Sequence, residues 1–226
     1  MTTDPTDQWI EQLMKLSDEE TKMTEKQLRI VQAAIDIFAE KGYAAASTSE
    51  IAQKAGVAEG TIFRHYKTKK ELLLSIVSPL MVKLVAPFVL RDFAKVLEAD
   101  YGSFAEFLRA LLLNRIAFAR ANLPVIKIMV QEIPFQPELR DQFKTVVGKE
   151  VYQRLEKAAL HFQERGELAP LPIPTVLRLI SSVIIGYLAS RFLVFTDREW
   201  DDEWETEQCI AFIMHGLSVR QGGDNS

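Results

Sequence analysis

The sequence predicts an all-α protein, and three observations lead there. Apolar residues recur at three- and four-residue spacing through nearly every run. No stretch alternates apolar and polar residues over a strand's length, and glycine or proline falls at helix-end positions. At 226 residues, 48% hydrophobic and 26% charged, the chain suits a substantial core in one or two domains.

The elements follow in order. Residues 1–21, with "TDPTDQWIEQLMKLSDEE", read as an acidic N-terminal arm in which Trp9, Ile10, Leu13 and Met14 fit one helical face. In "EKQLRIVQAAIDIFAEKGY" the residues Leu28, Val31, Ala34, Ile35 and Phe38 share a face, and Gly42 is the stop. "STSEIAQKAG" opens with Ser47 three residues before Glu50, a capping-box spacing, with Thr48 or Ser49 as alternative caps, and ends at Gly56. After "GVAEG" the pattern resumes at Thr61 with "TIFRHY". Two short helices joined by a glycine-containing turn form a helix-turn-helix.

From the cap candidate Thr68 the chain continues helical, with kinks expected at Pro79 and Pro87. Further helices are expected at about 103–121, 123–133, 137–165, 174–196 and 204–219. The implied domains are the arm at 1–21, a helix-turn-helix domain at 22–70, and a larger helical domain at 71–226. No flexible linker separates the last two.

Composition and motifs exclude several functions. A single cysteine, Cys209, forms no intramolecular disulfide and reads as a small buried hydrophobe. Met1 is followed by polar "TTDPTDQ" instead of a secretory leader. The most apolar helix carries Arg178 and Arg191, and the interval between them is too short for a bilayer. A cytoplasmic location without a membrane partner is expected. Phosphate-loop, H-E-x-x-H and G-x-S-x-G patterns are absent, so no catalytic residue and no cofactor is assigned. His65, His161 and His215 lack a second ligand at metal spacing, so no metal site is assigned either. The stretch "DREWDDEWETE" lacks the glycine of a calcium loop and reads as solvated.

Charge is unevenly spread. The net charge is −4, yet residues 22–70 hold nine basic against five acidic side chains. A basic segment in an acidic protein is a footprint for a polyanion. In a helix-turn-helix the second helix enters the major groove by its N-terminal end, which calls for small residues such as Gly60 and Thr61. One turn on, Arg64 and His65 offer donors to bases and Phe63 an apolar contact to a thymine methyl. Ile62 and Tyr66, four apart, fit the inner or flanking face, while Lys67, Lys69 and Lys70 suit phosphates. Glu59 puts a carboxylate beside the entry point, where it could accept from cytosine N4 or cap the helix, and the cap is the expected role.

The run "RIVQAAIDIFAEKGYAAASTSEIAQKAGVAEGTIFRHYKTKKELL" resembles the DNA-binding domain of TetR-family bacterial transcriptional regulators over about residues 25–73. The match comprises A-x-x-x-F-A-x-x-G-[YF], then T-x-x-x-I-A-x-x-A-G-V, then G-T-[ILV]-[YF]-x-[HY]-[YF]-x-x-K-x-x-L. The resemblance implies that Thr48 and Ser49 open the backbone-contacting helix. It places Gly60, Thr61, Phe63, Arg64 and His65 at the reading surface and Tyr66 and Lys69 near phosphates. Phe63 stands where many relatives have tyrosine, which removes a phenolic phosphate bond.

The resemblance also implies a homodimer built on the last two long helices. In the chain itself Ser182, Gly186 and Ser190 recur every four residues beside Val183, Ile185 and Ala189, and the last helix adds Cys209, Ile210, Phe212, Ile213, His215 and Leu217. For a hydrophobic or amphipathic small-molecule effector, polar handles are expected from Asn114, Arg115, Glu132, Tyr187 and Arg191, among Phe118, Met129 and Tyr152. The function expected is a ligand-responsive repressor on a pseudo-palindromic double-stranded DNA operator. The alternatives are a TetR-like activator and a helical binding or enzyme domain without operator binding.

Overall fold

The computed structural model describes residues 24–79, 95–96, 99–145 and 149–217, and every regular element among them is helical. The helices are α1 (Glu25–Lys41), α2 (Thr48–Ala55), α3 (Glu59–His65), α4 (Lys69–Pro79), α5 (Phe104–Ala121), α6 (Leu123–Glu132), α7 (Pro137–Phe143), α8 (Lys149–Glu164), α9 (Ile173–Ala189) and α10 (Asp202–Leu217). The N-terminal arm and Pro87 lie outside the described residues.

Two compact units emerge, and they interleave in sequence. Among the described residues, 24–79 with 121–145 make the first, and 95–96, 99–120 and 149–217 the second. The boundary read from sequence at 70/71 divides the chain differently, because α6 and α7 return to the first unit. There Val125, Ile128 and Met129 of α6 are buried against α1, and Leu139 of α7 is buried against α4. Lys70 and Glu138, 2.8 Å apart, also join α4 to α7.

In the first unit, local chemistry sets the helix ends. Thr24 caps α1 in a reciprocal box with Gln27, and α1 stops at Gly42, whose φ of 79° favours glycine. Ser47 caps α2: its hydroxyl accepts from the Glu50 N–H at 3.1 Å, and the Glu50 carboxylate accepts from the Ser47 N–H at 3.1 Å. Gly56, left-handed at φ 65°, ends α2. Thr68 caps α4 by accepting from the Glu71 N–H at 3.0 Å. The core between these helices is Ile30, Ile35, Phe38, Ile51, Ile62, Leu72 and Ile76, all essentially without exposure.

The second unit packs α8 on α9 and α9 on α10, with α5 contributing Phe104, Phe107, Leu108, Leu111 and Leu112 to the core. Phe104, Phe107 and Phe162 form an aromatic trio with centroids 5.1–6.0 Å apart. Arg109 grips Glu207 through two hydrogen bonds of 2.6 and 2.8 Å, tying α5 to α10.

Three element boundaries differ from expectation. α3 starts at Glu59 instead of Thr61, because Ala58 already takes the extended cap conformation. The helix expected at 137–165 is two helices, α7 and α8, which serve different units. The helix expected at 174–196 ends as α at Ala189 and widens into a π turn at Ser190–Val194.

Removing the α2 cap in Ser47→Ala should cost about 1 kcal/mol in urea unfolding. Ser49→Ala, exposed and not the cap, should stay within about 0.5 kcal/mol.

Candidate functional site

α3 is seven residues long, and Ile62 is its one buried residue. Tyr66, four residues on, is 6% exposed, and burial pushes its phenol up from the ordinary tyrosine range. With these two turned inward, Gly60, Phe63 and Arg64 are exposed and Thr61 and His65 half-buried. A Cβ at Gly60 would meet nothing within 4 Å, so the protein's own packing does not require glycine there. Arg64 makes no ion pair with the described residues, and Lys67 is exposed beside it. The outer face of α3 is a small-residue entry followed by an aromatic ring and an unspent guanidinium.

The neighbouring residues correct three expectations. Lys69 points inward: its ammonium donates to the carbonyls of Tyr43 and Ala46, both at 2.7 Å, and sits 4.5 Å from the Tyr43 ring centroid. Those carbonyls lie in the α1–α2 loop, so the charge is spent on holding that loop, and no donor faces a phosphate. Tyr66 is likewise a core anchor and not a phosphate ligand. Glu59 is the first helical residue and caps nothing; its carboxylate accepts from the Thr48 hydroxyl at 2.6 Å. That bond ties the start of α2 to the start of α3, leaving Ser49 exposed beside them.

The second unit contains a cavity of about 250 Å³ lined by apolar side chains of α5, α8 and α9, among them Leu111, Leu155, Leu177, Ile180 and Ile184. Arg115 is its one cationic lining residue. Burial lowers this guanidinium to about 10, still protonated at neutral pH. It donates to the Asn114 carboxamide and lies 5.0 Å from the Phe118 ring centroid. Asn114, Arg115 and Phe118 are thus brought together.

The other expected ligand residues are not. Met129 and Glu132 are buried in the first unit, where the Glu132 carboxylate accepts from the Gln136 amide at 3.2 Å. Tyr152 is exposed on α8 and outside the cavity lining. Tyr187 and Arg191 converge on Asp202. The Tyr187 hydroxyl donates to it at 2.7 Å and Arg191 Nη2 at 3.0 Å, while Arg191 Nε lies against the same carboxylate out of hydrogen-bonding alignment. Arg120 adds a third donor at 2.6 Å. Asp202 is therefore the hub of an ion-pair cluster and not part of a solvated loop. Its partners, 11 to 82 residues distant, gave no local signal.

The cavity lining on α8 and α9 was not anticipated, because nothing in the sequence pattern distinguishes Val151, Leu155, Leu177 and Ile180 from ordinary core positions.

The expected interface residues also divide. Ser182 and Gly186 are exposed, Ala189 and Ser190 half-buried. A Cβ at Gly186 would meet nothing within 4 Å. Ile210, Ile213 and Leu217, by contrast, are 3–5% exposed in the chain's own core and have no area left for a partner. Of the apolar residues expected at the interface, Ile185 on α9 and Phe212 on α10 do face outward, the latter 70% exposed, and Trp204 on α10 joins them. The span Ile173–Val194 is long and apolar enough to cross a membrane, but Val176, Leu177, Ile180, Ile184 and Tyr187 are buried within the unit.

The family described as "Bacterial regulatory proteins, tetR family" matches residues 30–76. The chain is 43% identical over 51 residues to the fatty acid metabolism regulator protein of Bacillus subtilis, 23% of this chain and 26% of that one. It is 31% identical over 129 residues to the HTH-type transcriptional repressor Rv3405c of Mycobacterium tuberculosis, 57% of this chain and 64% of that one. These alignments span about a quarter and just under two thirds of the relatives' lengths. The whole fold is similar to the crystal structure of FadR from Bacillus subtilis in complex with stearoyl-CoA, with TM-score 0.62, 22% identity, and 84% of this chain covering 98% of that one.

Replacing Lys69 by methionine should leave the carbonyls of Tyr43, Ala44 and Ala46 without their charged donor and lower unfolding stability by about 1–3 kcal/mol. The salt dependence of DNA binding should not change, whereas Lys67→Ala should reduce the log–log salt slope by about 1.

Proposed function

We propose that this chain, a TetR-family transcriptional regulator, is a homodimeric repressor that leaves its operator when a hydrophobic small molecule binds in the second unit. The observation that carries the reading is the outer face of α3. Gly60, Thr61, Phe63, Arg64 and His65 stand together on a helix whose packing needs are met by Ile62 and Tyr66 alone.

Each side chain has a task in a major groove. Gly60 lets the α3 N-terminus approach closely, and the first-turn N–H groups meet a phosphate. Arg64 supplies a bidentate donor pair suited to guanine O6 and N7, and the Phe63 ring meets a thymine methyl. At the start of α2 the exposed Ser49 hydroxyl is the donor offered to a flanking phosphate, while the Thr48 hydroxyl is held by Glu59.

One such helix reads too few base pairs for a unique site. A two-fold pair spaces two reading helices about 34 Å apart, one turn of duplex, and this asks for a pseudo-palindromic operator. Support for a dimer comes from the outward faces of α9 and α10, where Ile185, Trp204 and Phe212 are exposed beside the unfilled space at Gly186. Support for a hydrophobic effector comes from the apolar cavity, and from the fold shared with a FadR that binds stearoyl-CoA. Such a regulator works in the cytoplasm, where the DNA is.

Two experiments test this. Selection of bound duplexes from a random library by purified protein should enrich an inverted repeat. Arg64→Ala should weaken that repeat by about 1–3 kcal/mol and relax one base position per half-site. Folded, ligand-free protein that enriches no motif would overturn the reading. Separately, Phe212→Glu should convert the dimer to monomer in sedimentation velocity at micromolar concentration, and a dimer that persists would remove α10 from the interface.

A further inference from the structure

The first unit carries a groove between α1 and α2 that the outer face of α3 does not use. Its volume is about 270 Å³, and Leu28, Ala33 and Ala55 supply an apolar lining. Gln32 and Asp36 stand beside them. The Gln32 amide donates through Nε2 to Asp36 Oδ1 at 3.2 Å, and the Lys54 ammonium lies 2.9 Å from Asp36 Oδ2. The other Gln32 atom, Oε1, is buried and has no hydrogen-bond partner among the described residues. Turning the amide over gives no relief, because it would set that oxygen against the Asp36 carboxylate. A buried acceptor left unpaired costs stability, so this one calls for a donor from outside the two helices.

Charge narrows the occupant further. Arg29, also in the lining, is exposed and makes no ion pair with the described residues. With Lys54 set against Asp36, the Arg29 guanidinium leaves the groove positive. It therefore suits a segment that is apolar, acidic and able to offer an N–H donor. Such a segment is joined to α1. Residues 1–23 precede the Thr24 cap, which stands one turn before Leu28 and Arg29. They hold Asp4, Asp7, Glu11, Asp18, Glu19 and Glu20 against Lys15 and Lys22. Trp9, Ile10, Leu13 and Met14 fit one helical face, and the Trp9 indole is a donor with no acceptor of its own.

We propose that the acidic N-terminal arm docks in the groove of its own chain and, from there, restrains DNA binding. Trp9 fills the apolar lining and donates its indole N–H to Gln32 Oε1, while carboxylates of the arm meet Arg29. The tether to Thr24 holds the arm near the groove at a high effective concentration, so modest contacts suffice. Docking fixes an excess of negative charge on the first unit, which opposes the approach of phosphates. The restraint rests on that unit being the DNA-binding body; the docking does not. Double-stranded DNA can meet Arg29 but offers nothing to enter the space between the helices. A second copy would bring the same arm without the advantage of the tether.

The test is fluorine NMR of the full chain labelled with 5-fluorotryptophan, in which Trp9→Phe identifies the Trp9 signal beside those of Trp200 and Trp204. The expected result is a Trp9 signal displaced from its position in urea. It should return toward that position in Gln32→Leu and in Arg29→Glu, the second a change at an exposed residue that folding tolerates. A Trp9 signal already at its urea position in the unaltered protein would overturn the docking. A displaced signal that neither groove variant moves would overturn the groove as its place. Displacement that disappears on dilution would assign the arm to a second copy and overturn the intramolecular contact. For the restraint, Trp9→Ser should bind a random-sequence duplex at low salt about threefold tighter or more than the unaltered protein. Equal affinity of the two would overturn the restraint, whereas no duplex binding by either would overturn the DNA-binding reading on which it rests.

Discussion

The candidate DNA-reading surface depends on two side chains that never reach it. α3 has seven residues, far below the roughly 12–15 at which an isolated helix becomes even marginally stable in water. Its N-terminal position, Ala58, offers no side-chain cap. What keeps the helix formed is the burial of Ile62 and Tyr66, one turn apart, in the core shared by α1, α2 and α4. Full burial of each such side chain is worth about 1.5–3 kcal/mol, enough to offset the ordering of so short a segment. Because the two anchors occupy one face, Gly60, Phe63 and Arg64 are left outward by geometry.

Lys69 imposes a second constraint on the same surface. Its ammonium gathers carbonyls from the turn that follows α1, groups that have no helical partner once the chain has left the helix at Gly42. That turn sets where α2 begins, and the Thr48–Glu59 bond then relates α2 to α3. A positive charge that looks in sequence like one more phosphate ligand is thus a structural member. The distinction matters for electrostatics: with Lys69 turned inward and Lys70 paired to Glu138, Arg64 and Lys67 carry the outward charge of this segment.

What could be read from sequence follows the range of the interactions involved. The Ser47 and Thr68 caps, the Gly42 and Gly56 stops and the inward face of α1 are set within four residues, and the structure has them where local rules put them. The roles of Lys69 and Asp202 depend on partners tens of residues away, and local pattern is silent about them. The last helices show a subtler limit. α10 is apolar on more than one side, so periodicity marks Ile210, Ile213, Leu217 and Phe212 alike. Only packing against α9 decides that the first three turn inward and Phe212 outward. The cavity was illegible for a related reason, since a hole and a filled core use the same side chains.

Chain connectivity bears on how the proposed effector response would work. α5 lines the apolar cavity with Phe104, Phe107, Leu111 and Arg115, and a single residue, Asn122, separates its end from α6. α6 buries Val125, Ile128 and Met129 against α1, the helix on which α2 and the core around Ile62 rest. A ligand that shifts α5 therefore acts on a segment covalently continuous with α6 of the first unit, the proposed DNA-binding unit. Its leverage is bounded by the difference between its affinities for the operator-competent and operator-incompetent arrangements, about 5.5 kcal/mol for a swing from 1:99 to 99:1. A small apolar tail supplies part of such a difference through its methylenes, at about 0.8 kcal/mol for each one buried in one arrangement and not the other. The remainder must come from polar groups whose pairing differs between the two arrangements.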